Sequence, residues 1–201
     1  MARFATALLV ALAMAFVTPA RAGEFNKKIN IGDAAPTFKD LEGTDGKKHS
    51  LSDFKKDVVV LVFISNSCTF ATAYEDRIIA FAKKYGAKVD VVALNVSTIP
   101  EDRLDKMTAH AKEKGFNFAY LYDPSQKIGR ALGATVTPEF FVLNKDRKVV
   151  YMGAMDDTHV VAKVTKKYLE QAVEAALKGE KPATAETAAR GCSIEYEKNS
   201  R

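Results

Sequence analysis

The sequence predicts an α/β sandwich, a mixed central sheet flanked by helices and preceded by an N-terminal β-hairpin, on three observations. Val58 to Ile64 is an unbroken run of β-branched and apolar residues, too short to cross a membrane, with the pattern of a strand buried on both faces. That run stops at Ser65-Asn66-Ser67-Cys68; apolar residues then recur at helical spacing as far as Gly86, and a second apolar run covers 88–96. Strand, helix and strand of this kind make a parallel pair joined by a right-handed crossover. Finally, two short apolar runs at 139–143 and 148–152 are joined by Asn144-Lys145-Asp146-Arg147, which closes the sheet with an antiparallel hairpin.

Taken in order, the first 22 residues read as a cleavable signal peptide. Arg3 precedes an apolar stretch from Phe4 to Val17, and Ala20 and Ala22 form an A-x-A site before Gly23. The stretch is shorter than the roughly 20 residues of a membrane span, so the expectation is a secreted or periplasmic protein without a membrane anchor. Residues 23–182 then read as one domain, and 183–201 as a flexible tail carrying Cys192.

Within the domain, Asn30 to Phe38 is a loop leading to a short strand, and Asp40 to Lys47 carries the Gly and Asp residues of the hairpin. A short helical turn is expected at Asp53-Phe54-Lys55. The helix after Cys68 places Phe70, Ala73, Tyr74, Ile78, Phe81 and Tyr85 on one face. Pro100 opens a helix through Leu104, Met107 and Ala111 to Gly115, and Asp123-Pro124-Ser125-Gln126 caps a short one ending at Gly133. A last helix is expected from about Thr158 to Lys178, before Gly179 and Pro182.

Charge excludes some functions. The whole chain has 30 Lys and Arg against 25 Asp and Glu. Loss of Arg3 and Arg21 with the signal peptide leaves 28 against 25, a mild and scattered +3 that fits neither nucleic acid nor an anionic membrane. No phosphate loop, nucleotide fingerprint or dense metal cluster is present, so neither cofactor nor metal is expected. Asp156, Asp157 and His159 read as a cap and solvated turn, His49 and His110 as isolated, and Lys127 and Arg130 as surface cations. Glu75 stands two turns from Cys68, and Arg77 faces away from it.

Two cysteines remain, Cys68 and Cys192, in a chain addressed to an oxidising compartment and large enough not to need disulfide staples. Cys68 stands at the carboxyl end of a central strand and the first turn of a helix, where reaction sites of open α/β sheets lie. Unpaired N–H groups and the helix dipole there favour a thiolate, which can attack a disulfide sulfur or a peroxide oxygen. Cys192, 124 positions away, is either a resolving thiol or a permanent structural partner. The pair therefore admits a redox enzyme or a non-catalytic binding module with a structural Cys68–Cys192 disulfide.

The ordered set Gly32-Asp33-Ala34-Ala35-Pro36-Thr37-Phe38, Ser65-Asn66-Ser67-Cys68 before Tyr74-Glu75-Asp76-Arg77, Ala134 to Phe141, Asp156-Asp157 and Gly191-Cys192-Ser193-Ile194 spans nearly the whole mature chain. In that order it resembles the thioredoxin-fold, peroxiredoxin-like proteins of the alkyl-hydroperoxide-reductase and thiol-specific-antioxidant (redoxin) superfamily. The resemblance implies a thiol-dependent oxidoreductase acting on a redox partner protein or a peroxide. Cys68 would be its nucleophile and Ser65 a hydroxyl that orients peroxide. Asn66, Thr137 and a cis Pro138 would shape the substrate site, with the Thr137 backbone pairing to an extended substrate segment. Two departures stand against a simple assignment. No second cysteine lies three positions from Cys68, where Ser65 and Ala71 stand, and Leu61 and Pro138 occupy the positions of a peroxiredoxin's proline and arginine.

Overall fold

The computed structural model describes residues 23–198, so the signal-peptide expectation lies outside the described residues. In chain order the elements are β1 (Leu41–Gly43), β2 (Lys48–His49), β3 (Val58–Phe63), α1 (Thr69–Tyr85), β4 (Val89–Asn95), α2 (Leu104–Lys114) and β5 (Ala119–Tyr122). There follow α3 (Lys127–Leu132), β6 (Val136–Thr137), β7 (Glu139–Leu143), β8 (Val149–Gly153), α4 (Tyr168–Leu177) and β9 (Cys192–Ser193). Seven strands form one mixed sheet in the order β2-β1-β5-β4-β3-β7-β8; β6 and β9 form a separate antiparallel ribbon.

β3 is central because each of its residues is buried, with β4 parallel on one side and β7 antiparallel on the other. Its alternate residues feed two cores. Val58, Val60 and Val62 pack with α1, α2 and α4, while Val59, Leu61 and Phe63 pack with α3 and the N-terminal segment around Ile29 and Phe38. A strand clothed on both faces has to be apolar throughout, and that is the pattern of 58–63.

Four expectations need correction. β5 completes the parallel set, yet it has no counterpart among the elements expected from sequence, because Ala119-Tyr120-Leu121-Tyr122 contains no β-branched residue and follows closely on a helix. Pro100 opens a 3₁₀ turn, 100–102, and the α-helix starts only at Leu104. α3 starts at Lys127 after Gln126 in the left-handed region; Asp123 still serves it, accepting the Ile128 N–H at 3.0 Å. The last helix begins at Tyr168 rather than Thr158. Asp157 binds the Thr165 N–H at 3.0 Å and its hydroxyl, drawing 157–165 into a loop, and Val160 and Val161, β-branched and exposed, give a helix there nothing to bury.

Asp156 is no solvated cap. It is buried, ion-paired with Arg77, and accepts a hydrogen bond from Tyr74 Oη at 3.3 Å, while the Arg77 guanidinium lies over the Tyr74 ring. The arrangement ties α1 to the loop after β8. Truncating one partner strands the other's charge, which costs about 3–5 kcal/mol at full burial. Arg77 keeps 17% side-chain exposure, so Asp156→Ala is expected to lower stability by about 2 kcal/mol, read as a shift of the urea midpoint, and adding Arg77→Met should recover part of the loss.

Candidate functional site

The turn after β3 sets the site. The Cys68 N–H bonds the Ser65 carbonyl at 3.3 Å, closing a turn over Asn66 and Ser67. Asp102, completely buried, accepts the Ser67 N–H at 3.0 Å and the Ser67 hydroxyl at 2.6 Å. Asn66 donates to the Glu101 carbonyl at 3.2 Å and accepts from Tyr120 Oη at 3.1 Å. Cys68 is thereby held as the N-cap of α1. Its sulfur accepts the Ala71 N–H at 3.2 Å, and its thiol faces the Thr137 carbonyl at 3.0 Å. It is 2% exposed.

The Thr137–Pro138 bond is cis. The loop before it is anchored by Glu139, which accepts the N–H groups of Thr135 at 2.8 Å and Val136 at 3.3 Å. Burial pushes the Glu139 carboxyl up from its usual range, and these N–H groups oppose that.

The stretch expected as a flexible tail carries Cys192 back to the body. Residues 185–197 form a strap laid across the body. Met152 and Thr187 are joined by a backbone bond along it, Thr187 Oγ1 accepts the Ala154 N–H, and the Ile194 N–H bonds the Thr135 carbonyl at 2.9 Å. Gln126 donates to the Glu195 carbonyl and accepts the Glu197 N–H. Arg130, expected to be a free surface cation, stacks on Tyr196 and donates to the Glu197 carbonyl. At the strap's other end the Glu186 carboxylate takes the N–H groups of Glu24, Phe25 and Asn26 at 2.7–2.9 Å.

Glycines make room for this contact. A Cβ on Gly191 would lie 1.9 Å from the Thr137 carbonyl oxygen, and one on Gly153 2.2 Å from the Thr187 carbonyl oxygen. In the ribbon that results, Thr137 pairs with Cys192 and Val136 with Ser193.

Cys192 is set down beside Cys68 by the β6–β9 pairing, and the two free thiols line one cavity. Their environments differ. Burial pushes the Cys68 thiol up, and the bond to Cys192 pushes it further, against the Ala71 N–H. Burial also acts on Cys192, but there it is outweighed by the Cys68 thiol, the Phe70 N–H and the Thr69 hydroxyl and N–H, and the net direction is down. The two thiols are thus pushed apart, Cys68 above and Cys192 below the ordinary cysteine range. A cavity of about 170 Å³, lined in part by Ser65, Cys68, Thr137, Ile99 and Cys192, opens on the pair. Beyond Pro138 a second one of about 300 Å³ lies between Phe70, Asp157, His159 and Arg190.

Of the residues singled out in the sequence, Ser65, Cys68, Thr137 and Cys192 come together on the 170 Å³ cavity, and Pro138 lines the neighbouring one. Asn66 does not line the cavity, since both ends of its amide are engaged in holding the loop. His49 and His110 are not isolated: they contact Asp45 at 3.0 Å and Glu75 at 2.6 Å, away from the cysteines. Glu139 and Gly191 stand within the motifs that carry the resemblance, which implies no role for them, and Asp102 is marked in the sequence only by its place just after Pro100.

Sheet order, cis-Pro loop and a thiol at a helix start define the class, a thioredoxin-fold thiol protein. The chain belongs to the Redoxin family, whose model matches residues 30–172. It is similar to a hypothetical protein of Sinorhizobium meliloti 1021, at 35% identity over 86% of this chain and 97% of that one, with a TM-score of 0.78. An uncharacterized conserved protein of Geobacillus kaustophilus matches at 33% identity over 84% and 93%, also at 0.78. A structure from Chlorobium tepidum named as a thiol:disulfide interchange protein DsbE matches at 27% identity over 74% and 99%, at 0.61. No curated protein matches the chain. Family and neighbours support a thiol oxidoreductase type of function.

Proposed function

We propose that the protein is an exported thiol oxidoreductase whose Cys68 and Cys192 cycle between a dithiol and an intramolecular disulfide, exchanging with the disulfide or dithiol of a redox partner protein. The observation that carries this reading is the strand pairing of Cys192 with Thr137, the residue whose carbonyl faces the Cys68 thiol, which brings both thiols to one cavity with no second cysteine near Cys68 in sequence. Thiols so placed can interconvert between dithiol and disulfide once their Cα atoms lie within about 7 Å. Export rests on the Arg3, Phe4–Val17 and Ala20/Ala22 pattern. Disulfide exchange is favoured over peroxide reduction because Leu61 and Pro138 stand where a peroxiredoxin would carry its proline and arginine, and Cys68 is closed off from solvent. Ser65 lines the cavity, where its hydroxyl would meet whatever reacts at the pair.

Equilibration of the reduced protein in glutathione buffers, followed by thiol blocking and mass spectrometry, tests the couple. Both thiols should be lost together in a monomer, with a midpoint above about −300 mV. A midpoint below that value would make the bond a permanent staple of a binding module, and a Cys192 that stays alkylatable throughout would end the proposal. Hydrogen peroxide should be consumed no faster than by a free thiol.

A further inference from the structure

We propose that Cys192 is the thiol that attacks the partner disulfide and that Cys68 resolves the product, the reverse of the order its place at the strand end suggests. This rests on the couple proposed above and adds the order of events. Three observations on the strap carry it.

The first is access. Cys68 is 2% exposed; the carbonyl its thiol faces, the N–H its sulfur accepts and Cys192 all crowd its sulfur, whereas Cys192 is partly exposed. Disulfide exchange needs the attacking sulfur to reach a sulfur on another molecule, and steric access enters the rate directly.

The second is occupancy. The Val136–Thr137 backbone, whose Thr137 carbonyl faces the Cys68 thiol, is already paired with Cys192 and Ser193. The strap divides what would otherwise be one groove: Thr187, Ala188 and Arg190 wall the 300 Å³ cavity, and Cys192 to Glu195 wall the 170 Å³ one. A protein disulfide therefore meets the strap, and on it Cys192, before it can meet Cys68.

The third is the helix start. β9 packs on α1, so Cys192 stands at the start of the helix whose Ala71 N–H caps Cys68, and the Thr69 and Phe70 groups there draw the Cys192 thiol down from its usual range. An anion on the outer sulfur is thus stabilised by the same helix end that caps the inner one.

In the reducing direction the Cys192 thiolate attacks one sulfur of the partner disulfide. A Cys192–partner bond forms, and the partner's other sulfur leaves as a thiolate. Cys68, giving up its proton to solvent base, then attacks the Cys192 sulfur, forms the Cys68–Cys192 bond and expels the partner's remaining sulfur. The partner gains two electrons and, on protonation, two thiols; the cysteine pair loses two electrons. An external dithiol returns the pair to its reduced state.

The test uses reduced protein and 5,5′-dithiobis(2-nitrobenzoate) as probe in stopped flow. Cys68→Ser should release one thiolate and stop as a mixed disulfide at Cys192, about tenfold or more faster than Cys192→Ser reacts. Wild type should release two equivalents and end as the intramolecular disulfide. A Cys192→Ser variant that reacts as fast as Cys68→Ser, or faster, overturns the order while leaving the couple intact. One equivalent from wild type, with no intramolecular bond, overturns the couple itself. Because either serine could perturb packing, a short iodoacetamide pulse on the unaltered protein provides the same reading by peptide mapping: Cys192 labelled before Cys68 supports the order, and Cys68 first overturns it.

Discussion

Gly191→Ala is expected to slow closure of the Cys68–Cys192 bond about a hundredfold while leaving global stability nearly unchanged. The added Cβ would lie 1.9 Å from the Thr137 carbonyl oxygen and 2.6 Å from its carbon. These are backbone atoms in a loop anchored by Glu139, so the side chain has nowhere to go and the strap must lift. Val58–Phe63 itself stays covered, and only the partly buried Cys192 and Ile194 at the edges of the two cores give up packing. What changes is proximity. Oriented neighbouring groups reach effective concentrations of about 10⁵ M or more, whereas a short flexible tether supplies on the order of millimolar. The strap remains held at Thr187 and Glu195, so only part of that range is lost. The readout is the slow phase after mixed-disulfide formation, with the thermal midpoint as control. An unchanged slow phase would mean that the β6–β9 ribbon does not position the sulfurs.

How much of this is legible in the residues depends on range. Val58–Phe63 announces a central strand because burial on both faces demands an apolar residue at every position, and the 3.6-residue recurrence after Cys68 announces α1; both are local patterns. Cys68 follows from them, since a strand end and a helix start locate it without knowledge of anything distant. The strap is different. Cys192–Ser193 is a two-residue strand paired with Val136–Thr137, far away in the chain, and two residues carry no periodicity. Gly191 and Gly153 mark close approach, but a glycine does not say which surface approaches. The start of α4 departs from expectation for a related reason. Val161 and Val164 match a helical stripe, and what cancels it is the Asp157–Thr165 contact, a competition between side chain and backbone that periodicity does not register.

The division of labour between the two cysteines also predicts that a thiol introduced at position 65 makes the strap dispensable. Ser65 and Cys68 are the first and last residues of a turn closed by the 3.3 Å Cys68 N–H to Ser65 carbonyl bond. Such a turn brings its end Cα atoms within about 7 Å, and a disulfide spans about 4.4–6.8 Å between Cα atoms, so the two positions fall in bridging range. Both line the 170 Å³ cavity, which has room for sulfur in place of oxygen. In Cys192→Ser the probe disulfide should release about one equivalent, slowly, from Cys68. Adding Ser65→Cys to that variant should raise the release to two equivalents, the second following the first about a hundredfold faster than the first forms, because a partner sulfur three residues away closes the bond without help from the C-terminus. If both thiols of this double variant remain alkylatable after the probe, the turn geometry is wrong. If they close but Cys68 is still the first to be labelled, position 65 is only a resolving site. Closure with the thiol at position 65 labelled first would show that a second thiol within the cavity, and not only one carried on the strap, can make the first attack.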